Sequence, residues 1–160
     1  MTLRIRLFVI LVLLYCWPAI LKAKEIQYNH NSITISELKE EVDFSLLTPG
    51  KVPNGWTLEI KTSPWIMLHY MNKNDTKLMV AIHQKKANAI TDDDLSKGHL
   101  VDINGRKGYF QDWSGNGKLN EKRTLVTGRL LVWIQDGTYV EMTSSSIAKK
   151  EMIKIARSMK

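Results

Sequence analysis

The chain predicts an α+β fold: a curved antiparallel sheet of about six or seven strands, with a short N-terminal helix and an amphipathic C-terminal helix packed on it. Three observations carry this expectation. From Trp56 to Thr143 apolar and polar residues alternate in short runs, joined by tight-turn pairs such as Asn104-Gly105 and Asp136-Gly137. Helical patterns stand at both ends of that region, and none lies between successive strands, so a parallel sheet is not expected. One hundred and sixty residues suffice for one domain and are too few for two.

The first 23 residues read as an export signal. Met1 to Arg6 is short and positive, Leu7 to Leu21 carries no charge, and Leu21-Lys22-Ala23 offers a cleavage position after Ala23. The apolar run is shorter than the ~20 residues of a spanning helix, and Pro18 interrupts its far end. An uncleaved anchor over residues 7–21 is the alternative. Cys16 lies inside this run, and Leu14-Tyr15 before it are too bulky for a lipidation site, so it reads as a small apolar residue. Residues 24–32 are polar and read as a flexible lead, and residues 33–160 as a single globular domain.

The domain opens with a helix over about 35–42. Thr34 and Glu37 form a capping box, Ile33 and Leu38 a hydrophobic staple, and Ile35, Leu38 and Val42 an apolar stripe. Pro49-Gly50 and Pro53-Asn54-Gly55 then mark turns. Trp56, Leu58 and Ile60 alternate with Thr57, Glu59 and Lys61, as in a strand with one wet face. Trp65 to Met71 is apolar on both faces, and Asn72 to Asp75 turns it into a strand over Leu78 to Ile82. Residues 87–98 read as a polar connection with room for a helical turn. Strands over Leu100 to Asn104 and Lys107 to Trp113 follow, then Arg123 to Thr127, Leu130 to Gln135 and Thr138 to Thr143. Ser146 is placed to cap a last helix whose apolar face is Ala148, Met152, Ile155, Ala156 and Met159.

Composition narrows the function. Hydrophobic residues make up 44% and charged residues 24%, which excludes wholesale disorder. The single cysteine excludes an internal disulfide framework and a thiolate zinc site. Of 23 Lys and Arg, Arg4, Arg6 and Lys22 belong to the leading segment, and the other 20 face 16 acidic residues in an even spread. A nucleic-acid binder concentrates its basic residues with aromatics between them, so no nucleic-acid partner is expected.

No catalytic constellation stands out. His30, His69, His83 and His99 show no metal-ligand spacing, and a simple register about Asn74 does not set His69 opposite His83. Asp92-Asp93-Asp94 reads as a solvated loop. Asp112 to Leu119 resembles the opening of a calcium loop, but its twelfth position is Arg123 where a bidentate Glu belongs, so a Gly-Asn-rich strand connection is expected. Asn74-Asp75-Thr76 is a glycosylation sequon that also serves as ordinary turn chemistry. No metal and no cofactor are expected. The aromatics Trp56, Trp65, Tyr70, Tyr109, Phe110, Trp113, Trp133 and Tyr139 fit a sheet core. The doubly apolar strand makes Trp65, Met67 and Tyr70 candidate ligand-binding residues, because an apolar second face calls for further cover, a partner or a greasy groove.

Three motifs carry a resemblance: Phe44-x-Leu46-x-x-Pro49-x-x-x-Pro53-x-Gly55, Trp133-x-x-x-Gly137-x-Tyr139 and Glu151-x-x-x-Ile155-Ala156-x-Ser158. Together, over about residues 34–159, they resemble an uncharacterised extracytoplasmic domain family of Gram-positive lipoproteins and anti-sigma-factor-like proteins. That family is distantly similar to half-barrels that carry lipoproteins. The resemblance implies an extracytoplasmic sheet-and-helix domain and transfers no catalytic residue. The chain departs from the family in lacking a lipobox cysteine and a cytoplasmic regulatory domain. The expected function is a secreted, non-enzymatic binding or sensing module of the cell envelope, its partner an envelope protein or an apolar ligand. An extracytoplasmic hydrolase or metal-dependent enzyme, and a membrane-tethered interaction domain, are the alternatives.

Overall fold

A computed structural model describes residues 26–88, 90, 95, 97–119 and 125–160. Its elements run β1 (Gln27–Tyr28), α1 (Ile35–Glu41), β2 (Thr57–Lys61), β3 (Ile66–Met71), β4 (Leu78–Lys86), β5 (His99–Ile103), β6 (Arg106–Leu119), β7 (Leu125–Gln135), β8 (Thr138–Ser144) and α2 (Lys149–Arg157). The strands form one open sheet in the order β1-β2-β3-β4-β8-β7-β6-β5. This is the expected α+β class, with eight strands and one parallel pairing, β1 with β2. The leading segment 1–23, its Cys16 and the run Asp92–Asp94 lie outside the described residues.

The extra strand comes from the expected flexible lead. Gln27 and Tyr28 pair with Thr57 and Leu58, the Asn29 amide donates to the Leu58 carbonyl, and the Ile60 amide donates to Ser32 Oγ. Two residues are too few for a periodic pattern, so composition alone reads as polar lead. At α1 the capping box is present as expected: Thr34 Oγ1 accepts from the Glu37 amide, and Glu37 accepts from the Thr34 amide. That amide bond holds the Glu37 carboxyl below its ordinary range.

One sheet face carries the core. Leu58 and Ile60, Ile66, Leu68 and Tyr70, Val80 and Ile82, Val140 and Met142, Leu131 and Trp133, and Phe110 are buried there under α1, the 42–56 segment and α2. Met152, Ile155, Ala156 and Met159 of the expected α2 face are buried against them. Ala148, the fifth member, is exposed and is the N-cap; Ser146 instead donates to the Leu78 carbonyl, so it does not cap the helix.

Buried polar side chains hold the irregular cover in place. Gln84 clamps Leu47 through both backbone groups, Thr138 donates to the Ser45 carbonyl, and Gln135 donates to the Met159 carbonyl. Past α2 the chain returns beside the loop, pairing Thr48 with Lys160 and Gly50 with Ser158. No buried side-chain nitrogen or oxygen lacks a partner among the described residues.

The hairpin turns follow the dipeptides. Asn104 and Gly105, and Asp136 and Gly137, all have positive φ, the backbone that a two-residue turn with matching twist requires. Asn72 Oδ1 accepts from the Thr76 and Lys77 amides, so the sequon at Asn74 sits in an ordinary turn. One expectation changes in part: Gly115 to Lys118, expected as a connection, lies inside β6, but the ladder with β7 shifts register across it, from Ser114 opposite Thr127 to Leu119 opposite Leu125. Arg123, the failed twelfth ligand, lies outside the described residues.

Candidate functional site

Strand alternation divides the three predicted ligand-binding residues. Successive side chains of a strand point to opposite faces, so Met67 and Tyr70, three apart, must separate. Tyr70 is on the core side at 3% exposure, beside Trp56 with ring centroids 6.5 Å apart. Met67 is on the other face. Trp65, just ahead of β3, packs edge-on against His83 and Tyr139 of that same outer face, at 6.1 and 6.2 Å. Trp65, Met67 and Tyr70 therefore do not form one site.

Tyr70 belongs to a cavity of about 670 Å³ on the helix side of the sheet. Its walls come from three sources. The 49–56 loop supplies Val52 and Trp56, the strands supply Leu58 and Tyr70, and α2 supplies Ile155. Lys51, Glu151 and Lys154 stand among the lining residues as its charged groups. Leu58 and Ile155 also belong to the core, so the cavity is where the core opens between loop and helix. Burial pushes the Tyr70 hydroxyl well above its ordinary range, so it stays protonated at any physiological pH. Tyr70 is 3% exposed and is one of the residues that line the cavity. The volume lies within the usual range for small-molecule sites, and apolar walls with charged groups among the lining suit an apolar molecule carrying a polar group.

The outer face carries a second arrangement, one that inspection of the sequence does not assemble. Glu59 pairs across from His69, and His83 across from Glu141. His69 and His83 are diagonal neighbours on β3 and β4, their ring centroids 6.1 Å apart. The four side chains thus form a row across β2, β3, β4 and β8. His69 Nδ1 lies 4.0 Å from Glu59, and His83 Nδ1 lies 3.7 Å from Glu141. Burial, followed by Lys61 and His83, lowers the His69 pKa against the opposing pull of Glu59, so the ring is held neutral. Tyr139 donates to Glu141 at 3.1 Å, and Lys85 Nζ sits 4.4 Å over the Trp65 ring. No three His, Cys, Asp or Glu side chains among the described residues converge as a metal-ligand set.

The histidines share a face because of a bulge. Met71 pairs with Leu78 and Tyr70 with Val80, so Met79 is an extra residue in the ladder. An unbroken register would set His83 opposite Ile66, facing the core; one extra residue turns it to the side of His69. The exposed pair His30 and His99 takes no part in this row.

A domain family profile described as "Domain of unknown function (DUF4367)" matches residues 46–159. No curated protein matches the chain. A solved structure of a protein from Bacteroides thetaiotaomicron VPI-5482, at 1.50 Å resolution, is similar at 15% identity and a TM-score of 0.49. The match covers 69% of this chain and 43% of that one, so this chain spans less than half of that protein's length.

Proposed function

The chain belongs to the DUF4367 family of domains of unknown function, and on that premise we propose that it is a non-enzymatic binding module of the cell envelope. Its ligand is an apolar molecule with one hydrogen-bond acceptor, held between the 49–56 loop, α2 and the β2–β3 end of the sheet. The single observation that carries the reading is the cavity of about 670 Å³ lined by Val52, Trp56, Leu58, Tyr70 and Ile155. Export through the segment 1–23, or tethering by residues 7–21, belongs to the same proposal. So does the finer placement among Gram-positive lipoprotein-like and anti-sigma-factor-like proteins. Among the described residues no helix is long and apolar enough to cross a membrane.

An alkyl chain fits the cavity's walls, and an ester, carboxyl or hydroxyl oxygen accepts from Tyr70. Titration with 11-(dansylamino)undecanoic acid tests the reading. Saturable binding with a blue-shifted dansyl emission is expected, in the micromolar range for an apolar molecule of that size (~1 μM corresponds to about −8 kcal/mol). Val52→Trp, which fills the cavity from the loop, should abolish binding and leave the fold intact. Native mass spectra of bare protein only, with no saturable dansyl signal, would contradict the proposal.

A further inference from the structure

We propose that His69 and His83 form a two-histidine site for a first-row divalent cation, tightest for Cu(II), on the sheet face away from the helices. The site is independent of the cavity, which lies on the opposite face.

The geometry carries it. The rings are diagonal neighbours on adjacent strands with centroids 6.1 Å apart. Two imidazoles bound to one ion at about 2.0–2.1 Å place their centroids about 5–6 Å apart, depending on the angle at the metal. Each Nδ1 faces a carboxylate, Glu59 at 4.0 Å and Glu141 at 3.7 Å. A carboxylate at that distance is an electrostatic neighbour that favours the Nδ1–H tautomer, which leaves the Nε2 lone pair as the ligand. Glu141 is fixed in turn by the Tyr139 hydroxyl at 3.1 Å.

Charge and access agree with this arrangement. The two histidines keep side-chain exposures of 17% and 25%, so a hydrated ion reaches them from solvent. Glu59 and Glu141 supply two negative charges beside the ion. Of the nearby cations, Lys61 is paired with Glu59 at 3.7 Å and Lys85 is drawn over Trp65. Two protein ligands leave the remaining positions to water, which agrees with the lack of a third converging ligand among the described residues. Imidazole nitrogen suits copper, nickel and zinc, and affinity peaks at copper among divalent ions.

Equilibrium titration of the full chain with CuCl₂ and then ZnCl₂, followed by electron paramagnetic resonance for copper, tests the site. One equivalent of Cu(II) with hyperfine structure from two nitrogens is expected, bound more tightly than Zn(II). His69→Ala and His83→Ala should each weaken binding more than 10-fold, and Glu141→Gln about 10-fold through ring orientation. His99→Ala should leave binding unchanged. Thermal melts of the variants without metal separate loss of ligand from loss of fold, and Glu141→Gln, which keeps side-chain size, is the second handle. Unchanged copper binding in the His69→Ala/His83→Ala double variant would overturn the proposal. A one-nitrogen spectrum, or no binding at millimolar Cu(II), would overturn it as well.

Discussion

Gln84 ties the loop that walls the cavity to the middle of the sheet, and replacing it is the most informative perturbation of the fold. Its side chain is fully buried; Oε1 accepts from the Leu47 amide and Nε2 donates to the Leu47 carbonyl, both at 2.9 Å. Gln84→Met keeps the length and most of the volume and removes both bonds. Two backbone groups are then left unpaired where no water reaches them, at about 1–3 kcal/mol each. Methionine's greater hydrophobicity returns about 1 kcal/mol. The net loss is about 1–5 kcal/mol, or a fall in Tm of about 3–20 °C for a domain of this size. Urea denaturation monitored by tryptophan fluorescence measures it directly. A loss under about 0.5 kcal/mol would refute the clamp. Gln84→Glu adds a sign test. It keeps the acceptor for the Leu47 amide, but only its protonated form donates to the Leu47 carbonyl. Burial raises its folded pKa above the unfolded value, so that variant gains stability below the unfolded pKa and loses it as pH rises through the folded one.

Three further outcomes are expected. Ile155→Asp places an unpaired charge at a position only 2% exposed, so it should cost about 3–5 kcal/mol in thermal denaturation; an unchanged Tm would mean that α2 is a mobile lid. Gly98→Ala should cost at least about 2 kcal/mol, because Gly98 has φ +119° and a Cβ there would stand 2.4 Å from the Phe110 carbonyl oxygen; a melt like that of the parent would contradict the close approach. His69 has a depressed pKa in the fold, so the unfolded chain binds its proton first. Its contribution is complete above the unfolded value of about 6.5 and is lost as pH falls through the folded one. The stability-versus-pH slope below pH 6.5 should therefore shrink in His69→Asn, and an identical slope would rule out this linkage.

Where local chemistry decides structure, the chain is legible. The Thr34–Glu37 box, the Asn104-Gly105 and Asp136-Gly137 turns and the α2 stripe through Met152, Ile155 and Ala156 each follow from neighbouring residues. Longer-range pairings are not written that way. β1 is two residues whose only distinction is their partner β2, and the β6–β7 ladder shifts register across Gly115–Lys118 before it resumes at Leu119 and Leu125. The candidate site shows the same division. Aromatic and apolar crowding singles out Trp65, Met67 and Tyr70, but the alternation of β3 sends only Tyr70 to the cavity. Val52 and Ile155 join it from elements 103 residues apart in sequence, a meeting that only the folded chain brings about. The His69–His83 row depends on the single extra residue, Met79, which no local signal announces.

The most direct test of the cavity is quenching by a brominated fatty acid, since bromine quenches only tryptophans it touches. Trp56 lines the cavity, whereas Trp133 is sealed in the core and Trp65 packs on the opposite face. Titration with 11-bromoundecanoic acid should quench a saturable fraction of the emission, and Trp56→Phe should remove that fraction while dansylundecanoate still binds. Saturable quenching that persists unchanged in Trp56→Phe, or an absence of quenching in the parent chain, would contradict the binding role assigned to this cavity.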